Sequence, residues 1–90
     1  MSDRILIVDD DENIQILLSR LLTLEGIEHV DIASSGLEAI DYLVSMRPSL
    51  VLLDVNMPGM DGWLVCEIIN NVKRWKSIPI VFQTALQGSE

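Results

Sequence analysis

Ile5-Leu6-Ile7-Val8 and Leu50-Val51-Leu52-Leu53 are apolar at every position, and that leaves few architectures open. A strand with one wet face alternates polar and apolar residues. A short, fully apolar run, β-branched like the first, fits a strand covered on both faces. Each of these runs is followed by polar punctuation and then by apolar residues at helical spacing. After the first come Asp9 to Glu12, then Ile14, Leu17, Leu18, Leu21 and Leu22, with Gly26 placed to close the helix. Glu28-His29-Val30-Asp31-Ile32 alternates, as a half-exposed edge strand does. Ser35-Gly36-Leu37-Glu38 has capping-box spacing and opens a second helix expected to bury Leu37, Ile40, Leu43 and Val44. Arg47-Pro48 ends it, because the residue before a proline is pushed out of helical geometry.

The segment Asn56-Met57-Pro58-Gly59-Met60-Asp61-Gly62 is loop chemistry, with Met57 and Met60 expected to pack it down. Leu64, Val65, Ile68, Ile69 and Val72 mark a third helix, and Ile78-Pro79-Ile80-Val81-Phe82 a fourth strand. Alternation of this kind predicts an α/β fold: a doubly wound parallel sheet with right-handed crossovers, in the flavodoxin-like order 2-1-3-4(-5).

Ninety residues suffice for one small domain, expected over residues 1–90. A hydrophobic content of 49% argues against disorder. No apolar run approaches the ~18 residues of a membrane span, and Met1-Ser2-Asp3-Arg4 lacks the start of a signal peptide. A cytoplasmic protein without a membrane partner is the expectation. The net charge of −8 disfavours direct binding to nucleic acid and suits cations or basic partners. Cys66 is the single cysteine, so no intrachain disulfide forms, and its apolar neighbours suggest a buried thiol.

Function in open α/β sheets gathers beyond the carboxyl ends of the strands. Those positions hold Asp9, Asp10 and Asp11 after the first strand, Asp54 after the third and Thr84 after the fourth. With the first and third strands adjacent, Asp9, Asp10 and Asp54 share one acidic pocket. Two like charges ~4 Å apart repel by about 4 kcal/mol at an effective dielectric near 20. Such a pocket takes up a proton or a hard cation, and an oxygen-only donor set suits Mg2+. Each piece also has a plainer structural reading. Acids before a helix complement its dipole, Asp54 is a turn residue, Thr84 a cap, and His29, Trp63 and Trp75 serve surface or packing roles. Convergence of the acids on one sheet edge favours chemistry.

These residues resemble the receiver domain of two-component response regulators. Ile5-Leu6-Ile7-Val8-Asp9-Asp10 is similar to that family's first strand and acidic pair. Leu52-Leu53-Asp54-Val55-Asn56-Met57-Pro58-Gly59-Met60-Asp61-Gly62 is similar to its phosphorylation segment. The resemblance implies that Asp54 is the phosphoacceptor and that a histidine kinase or phosphotransfer protein is the donor. It implies Mg2+ held by Asp9, Asp10, Asp54 and the backbone carbonyl of Asn56, with Thr84 as a switch hydroxyl. It also places Asn56 and Leu86 where side chains tune the lifetime of the phosphoryl group.

Complete receivers continue with a fourth helix, a fifth strand ending in a lysine, and a fifth helix. Lys73 and Lys76 fall at the third helix and its exit, so neither is that lysine. The expectation is a receiver truncated after its fourth strand, whose open edge invites a homodimer. The alternative function is an interaction module that is not phosphorylated. A haloacid-dehalogenase-type hydrolase is disfavoured by the residues after Asp9-Asp10-Asp11 and the lack of room for a cap domain. A flavin carrier is disfavoured because no Ser/Thr/Gly-rich loop follows the first strand.

Overall fold

The structure is a computed structural model that describes residues 3–57 and 62–83. Its elements run β1 (Arg4–Val8), α1 (Glu12–Leu24), β2 (His29–Ala33), α2 (Gly36–Ser45), β3 (Leu50–Asp54), α3 (Gly62–Asn71) and β4 (Ile80–Gln83). The four described strands form one parallel sheet in the order β2-β1-β3-β4. The chain steps from β1 outward to β2, then back across β1 to β3. Right-handed crossovers therefore put α1 on one face and α2 and α3 on the other.

The two fully apolar strands lie at the centre. Leu6, Val8, Val51 and Leu53 pack with Ala39 and Leu43 of α2 and Val65 and Ile69 of α3. Ile5 and Ile7 alternate to the opposite face and are also buried. Trp75 closes the core beyond α3, its indole N–H donating to the Leu43 carbonyl at 3.1 Å. Gly26, at φ 94°, ends α1 in the left-handed conformation that favours glycine. The Ser35 hydroxyl caps α2 by accepting from the Glu38 N–H at 3.1 Å, and the Glu38 carboxylate reaches back to the Ser34 N–H at 2.8 Å.

Several expectations about side chains are corrected. In α2 the buried residues are Gly36, Ala39 and Leu43, whereas Leu37 and Val44 are 70% and 62% exposed. Small residues line the helix face that approaches the sheet, so the larger side chains are displaced outward. Leu17 and Leu21 of α1 are likewise exposed, and Leu64 of α3 is too. Cys66 is half-buried rather than enclosed. The fourth strand starts at Ile80, not Ile78. The Ile78 N–H is engaged with the Trp75 carbonyl at 2.9 Å, and Pro79 has no N–H to offer the ladder. β2 begins one residue later than expected, at His29, which is exposed as a surface residue should be. Met57 is buried, as expected; Met60 lies outside the described residues.

Candidate metal centre

Parallel pairing of β1 with β3 in the register Val8↔Leu53 brings the residues that follow, Asp9 and Asp54, to the same edge. One carboxylate oxygen from each of Asp9, Asp10 and Asp54 falls within a set no wider than 4.8 Å. Asp9 is 3% exposed and Asp54 5%, while Asp10 is open to solvent. The Asp9 carboxyl is pushed above the usual aspartate range, first by burial and then by the charges of Asp54, Asp10 and Asp11; the Asp11 N–H opposes this.

Few donors quiet this cluster. The Asp11 N–H donates to Asp9 Oδ1 at 2.8 Å, and the Asn56 N–H to Asp54 Oδ1 at 3.0 Å. No Lys or Arg among the described residues forms an ion pair with it; the one salt bridge joins Arg4 to Asp31. Asp11 itself turns away and caps α1, accepting from the N–H groups of Asn13 and Ile14 at 2.8 and 3.3 Å. The acidic run is thus divided: Asp9 and Asp10 serve the pocket, and Asp11 serves the helix.

Sequence reasoning missed three supporting residues. Gln15 donates through Nε2 to the Asp9 carbonyl at 2.6 Å and to Ser34 Oγ at 3.1 Å, tying the end of β1 to the β2–α2 turn. Its spacing with Leu18 and Leu22, on one helical stripe, was an available signal. Gln83 lies opposite Asp54 in the β3–β4 register and donates through Nε2 to Asp9 Oδ2 at 3.3 Å. Its Oε1 is buried without a hydrogen-bond partner. Gly62 is the third. A Cβ there would stand 2.3 Å from the Asp54 carbonyl oxygen, so only glycine lets α3 start against the end of β3. No pattern in the sequence marks Gln83 for its position, and Gly62, though it closes the segment that resembles the family's phosphorylation motif, carries no local sign of this close approach.

Of the residues expected at the site, the fold brings together Asp9, Asp10 and Asp54 and sets Asn56 beside them; Thr84 lies outside the described residues. The donor set fits a hard divalent cation. It consists of carboxylate oxygens, those of Asp9 and Asp54 buried and without a counter-charge among the described residues, beside the Gln83 amide, whose buried Oε1 has no hydrogen-bond partner.

Residues 5–90 match the family described as the response regulator receiver domain. The chain belongs to that family. The receiver is 42% identical over 86 residues to sporulation initiation phosphotransferase F of Bacillus subtilis, covering 94% of this chain and 66% of that protein. It is 44% identical over 88 residues to response regulator PleD of Caulobacter vibrioides, covering 98% of this chain and 19% of that one. Among solved structures, the response regulator TrrA of Thermotoga maritima, in complex with Mg2+-BeF, superposes with a TM-score of 0.85 at 40% identity. That match covers 94% of this receiver and 71% of TrrA. The chain therefore spans just under two-thirds of the length of one curated relative and a fifth of the other. The strand order and the acidic cluster are those of a two-component receiver. No helix among the described residues is long and apolar enough to cross a membrane.

Proposed function

We propose that this receiver, read as one module over residues 1–90, takes a phosphoryl group onto Asp54 from the phosphohistidine of a kinase or phosphotransfer protein. The observation that carries this reading is a trio of carboxylates, two of them buried, with no cation among the described residues to offset them, in which Asp54 is held by a backbone N–H. The Asn56 N–H holds Oδ1 of Asp54, and among the described residues no donor is bound to Oδ2. A carboxylate oxygen of Asp54 attacks phosphorus, an O–P bond forms, the P–N bond to imidazole breaks, and the imidazole nitrogen departs with the bond pair and takes up a proton.

Asp9, Asp10, Asp54 and the Asn56 carbonyl would hold Mg2+, which when bound offsets the negative charge of the carboxylates and of the incoming phosphoryl oxygens. Thr84, which follows Gln83, is assigned to donate its hydroxyl to the phosphoryl group. The Mg2+-BeF complex of TrrA supports the metal assignment by likeness.

The test is intact-protein mass after incubation with a small acyl phosphate, with and without Mg2+, on the wild type and Asp54→Asn. The expected result is a Mg2+-dependent phosphoryl adduct that the substitution removes. A folded protein that gains no adduct would instead be the interaction module without phosphotransfer. Assembly is a separate proposal. Among the described strands β4 pairs with β3 alone and exposes Val81 and Phe82, which supports pairing with a second copy along that edge. A monomer by light scattering that unfolds cooperatively would refute it.

A further inference from the structure

The chain has six Lys and Arg residues against fourteen Asp and Glu, and four of the six stand at one corner. Arg47 follows α2, and Lys73, Arg74 and Lys76 lie in the turn between α3 and β4; all four are exposed. This corner is at the amino ends of β3 and β4, across the sheet from the acidic pocket. Among the described residues none of the four forms a salt bridge. In an acidic protein, four cations left without a carboxylate are an unspent charge.

The corner also has a shape. Leu43, Val44, Met46, Arg47, Arg74 and Trp75 line an open groove of about 330 Å³, at the small end of the range for ligand clefts. Its lining is mainly apolar, and Val44 is well exposed. Arg47 is pre-positioned on its rim: Nη1 donates to the Arg74 carbonyl and Nη2 to Ser77 Oγ at 2.8 Å. The guanidinium of Arg74 lies 5.3 Å from the centre of the Trp75 ring. Two of Arg47's five N–H donors are thereby used, so further donors remain for a carboxylate.

We propose that this groove docks an acidic segment of a partner protein, with an apolar side chain against Val44 and Met46 and carboxylates on Arg47 and Arg74. Charge complementarity selects this occupant. Nucleic acid and anionic membranes are extended polyanions that meet the repulsion of the whole domain at −8. A short acidic peptide responds mainly to charges within a Debye length, about 8 Å at physiological salt. The apolar floor gives a protein segment a use for a Leu or Phe side chain, which a phosphate backbone lacks. Four cations across two loops also exceed what one small carboxylate would neutralise.

The test is a titration of the full chain with a short fluorescein-labelled peptide of interleaved Glu and Leu, followed by anisotropy. Wild-type resonance mapping identifies the contact surface. Parallel arms use the same peptide with Gln for Glu, a single-stranded oligonucleotide, and phosphatidylserine vesicles. The expected result is binding of the Glu/Leu peptide alone, shifting the Trp75 indole N–H and residues 43–47. Binding should weaken at least tenfold in the Arg47→Glu, Arg74→Glu double variant and should fall as salt rises. The proposal is overturned by no binding, by equal binding of the Gln peptide, by shifts centred elsewhere, or by tighter binding of the oligonucleotide or vesicles. Because the mapping uses unaltered protein, it decides the matter even if the double variant does not fold.

Discussion

Asp31 on β2 and Asp9 at the end of β1 stand on neighbouring strands, and their surroundings treat a carboxylate in opposite ways. Asp31 Oδ2 receives the Tyr42 hydroxyl at 2.6 Å and the Arg4 guanidinium at 2.7 Å, binding α2, β2 and β1 together. Its carboxyl is held below the usual range, mainly by the Tyr42 hydrogen bond and, against the cost of burial, also by Arg4. Asp9 is more deeply buried, has no cation among the described residues, and faces Asp54 and Asp10. One cluster is complete within the fold. The other is left incomplete, and the missing component is positive charge. A satisfied polar cluster supports the fold, whereas an unsatisfied one at a strand end is where a ligand supplies what the protein withholds.

The bluntest way to break the acidic cluster is to lift its floor. Gly62→Val drives a side chain into the Asp54 backbone and should cost about 3 kcal/mol, read as a lowered urea midpoint together with loss of Mg2+ binding. A sharper test makes one substitution at both carboxylates. Asp9→Asn should raise metal-free stability at neutral pH by about 1 kcal/mol by removing a repulsive charge. It should weaken Mg2+ binding, measured by calorimetry, by at least the roughly tenfold that loss of an outer-shell partner costs. Asp31→Asn should lower stability by about 1 kcal/mol, allowing for solvent screening of a half-exposed pair, and leave Mg2+ affinity unchanged. Equal signs for the two variants would erase the contrast.

Stability against pH separates the clusters by direction. The raised pKa of Asp9 means a contribution that is full under acid conditions and is lost as pH rises through that pKa. The depressed pKa of Asp31 means a contribution present above the ordinary value of 3.8 and lost as pH falls through its lowered pKa. Urea midpoints across this range, with and without Mg2+, should show the metal relieving the Asp9 loss and leaving the Asp31 loss in place. An effect no larger is expected at Tyr42, whose phenol is pushed up to about 12 by burial and by Asp31. Its neutral form supports the fold until pH rises from the ordinary value near 10 through about 12. Tyr42→Phe should cost roughly 1 kcal/mol at neutral pH and remove that late titration from the ultraviolet spectrum.

The contrast between the clusters was only half legible in the residues. Strands apolar throughout can have few places in a sheet, so β1, β3 and the acids at their ends were readable. Asp31 and Tyr42 gave no such signal, because a partner eleven residues away on another element leaves no local period. Leu37 and Val44 misled for a related reason. Helical spacing identifies a stripe but not which stripe meets the sheet, and in α2 close approach selects Gly36 and Ala39 over larger neighbours. Gln15 and Gln83 were overlooked because their roles depend on which carbonyl or carboxylate the fold carries past them.

The register of β1 against β3 has a consequence for how this sequence can change. Val8 and Leu53 are partners, so each strand delivers its aspartate one step later. A slip of one residue would turn every side chain of a strand to the other face. A slip of two would keep the faces but draw the carboxylates apart by about 6.6 Å. The two strands therefore act as matched rulers, while the loop joining α1 to β2 can lengthen or shorten without disturbing where Asp9 and Asp54 meet. Insertions and deletions are tolerable in that loop and forbidden in two stretches of four residues.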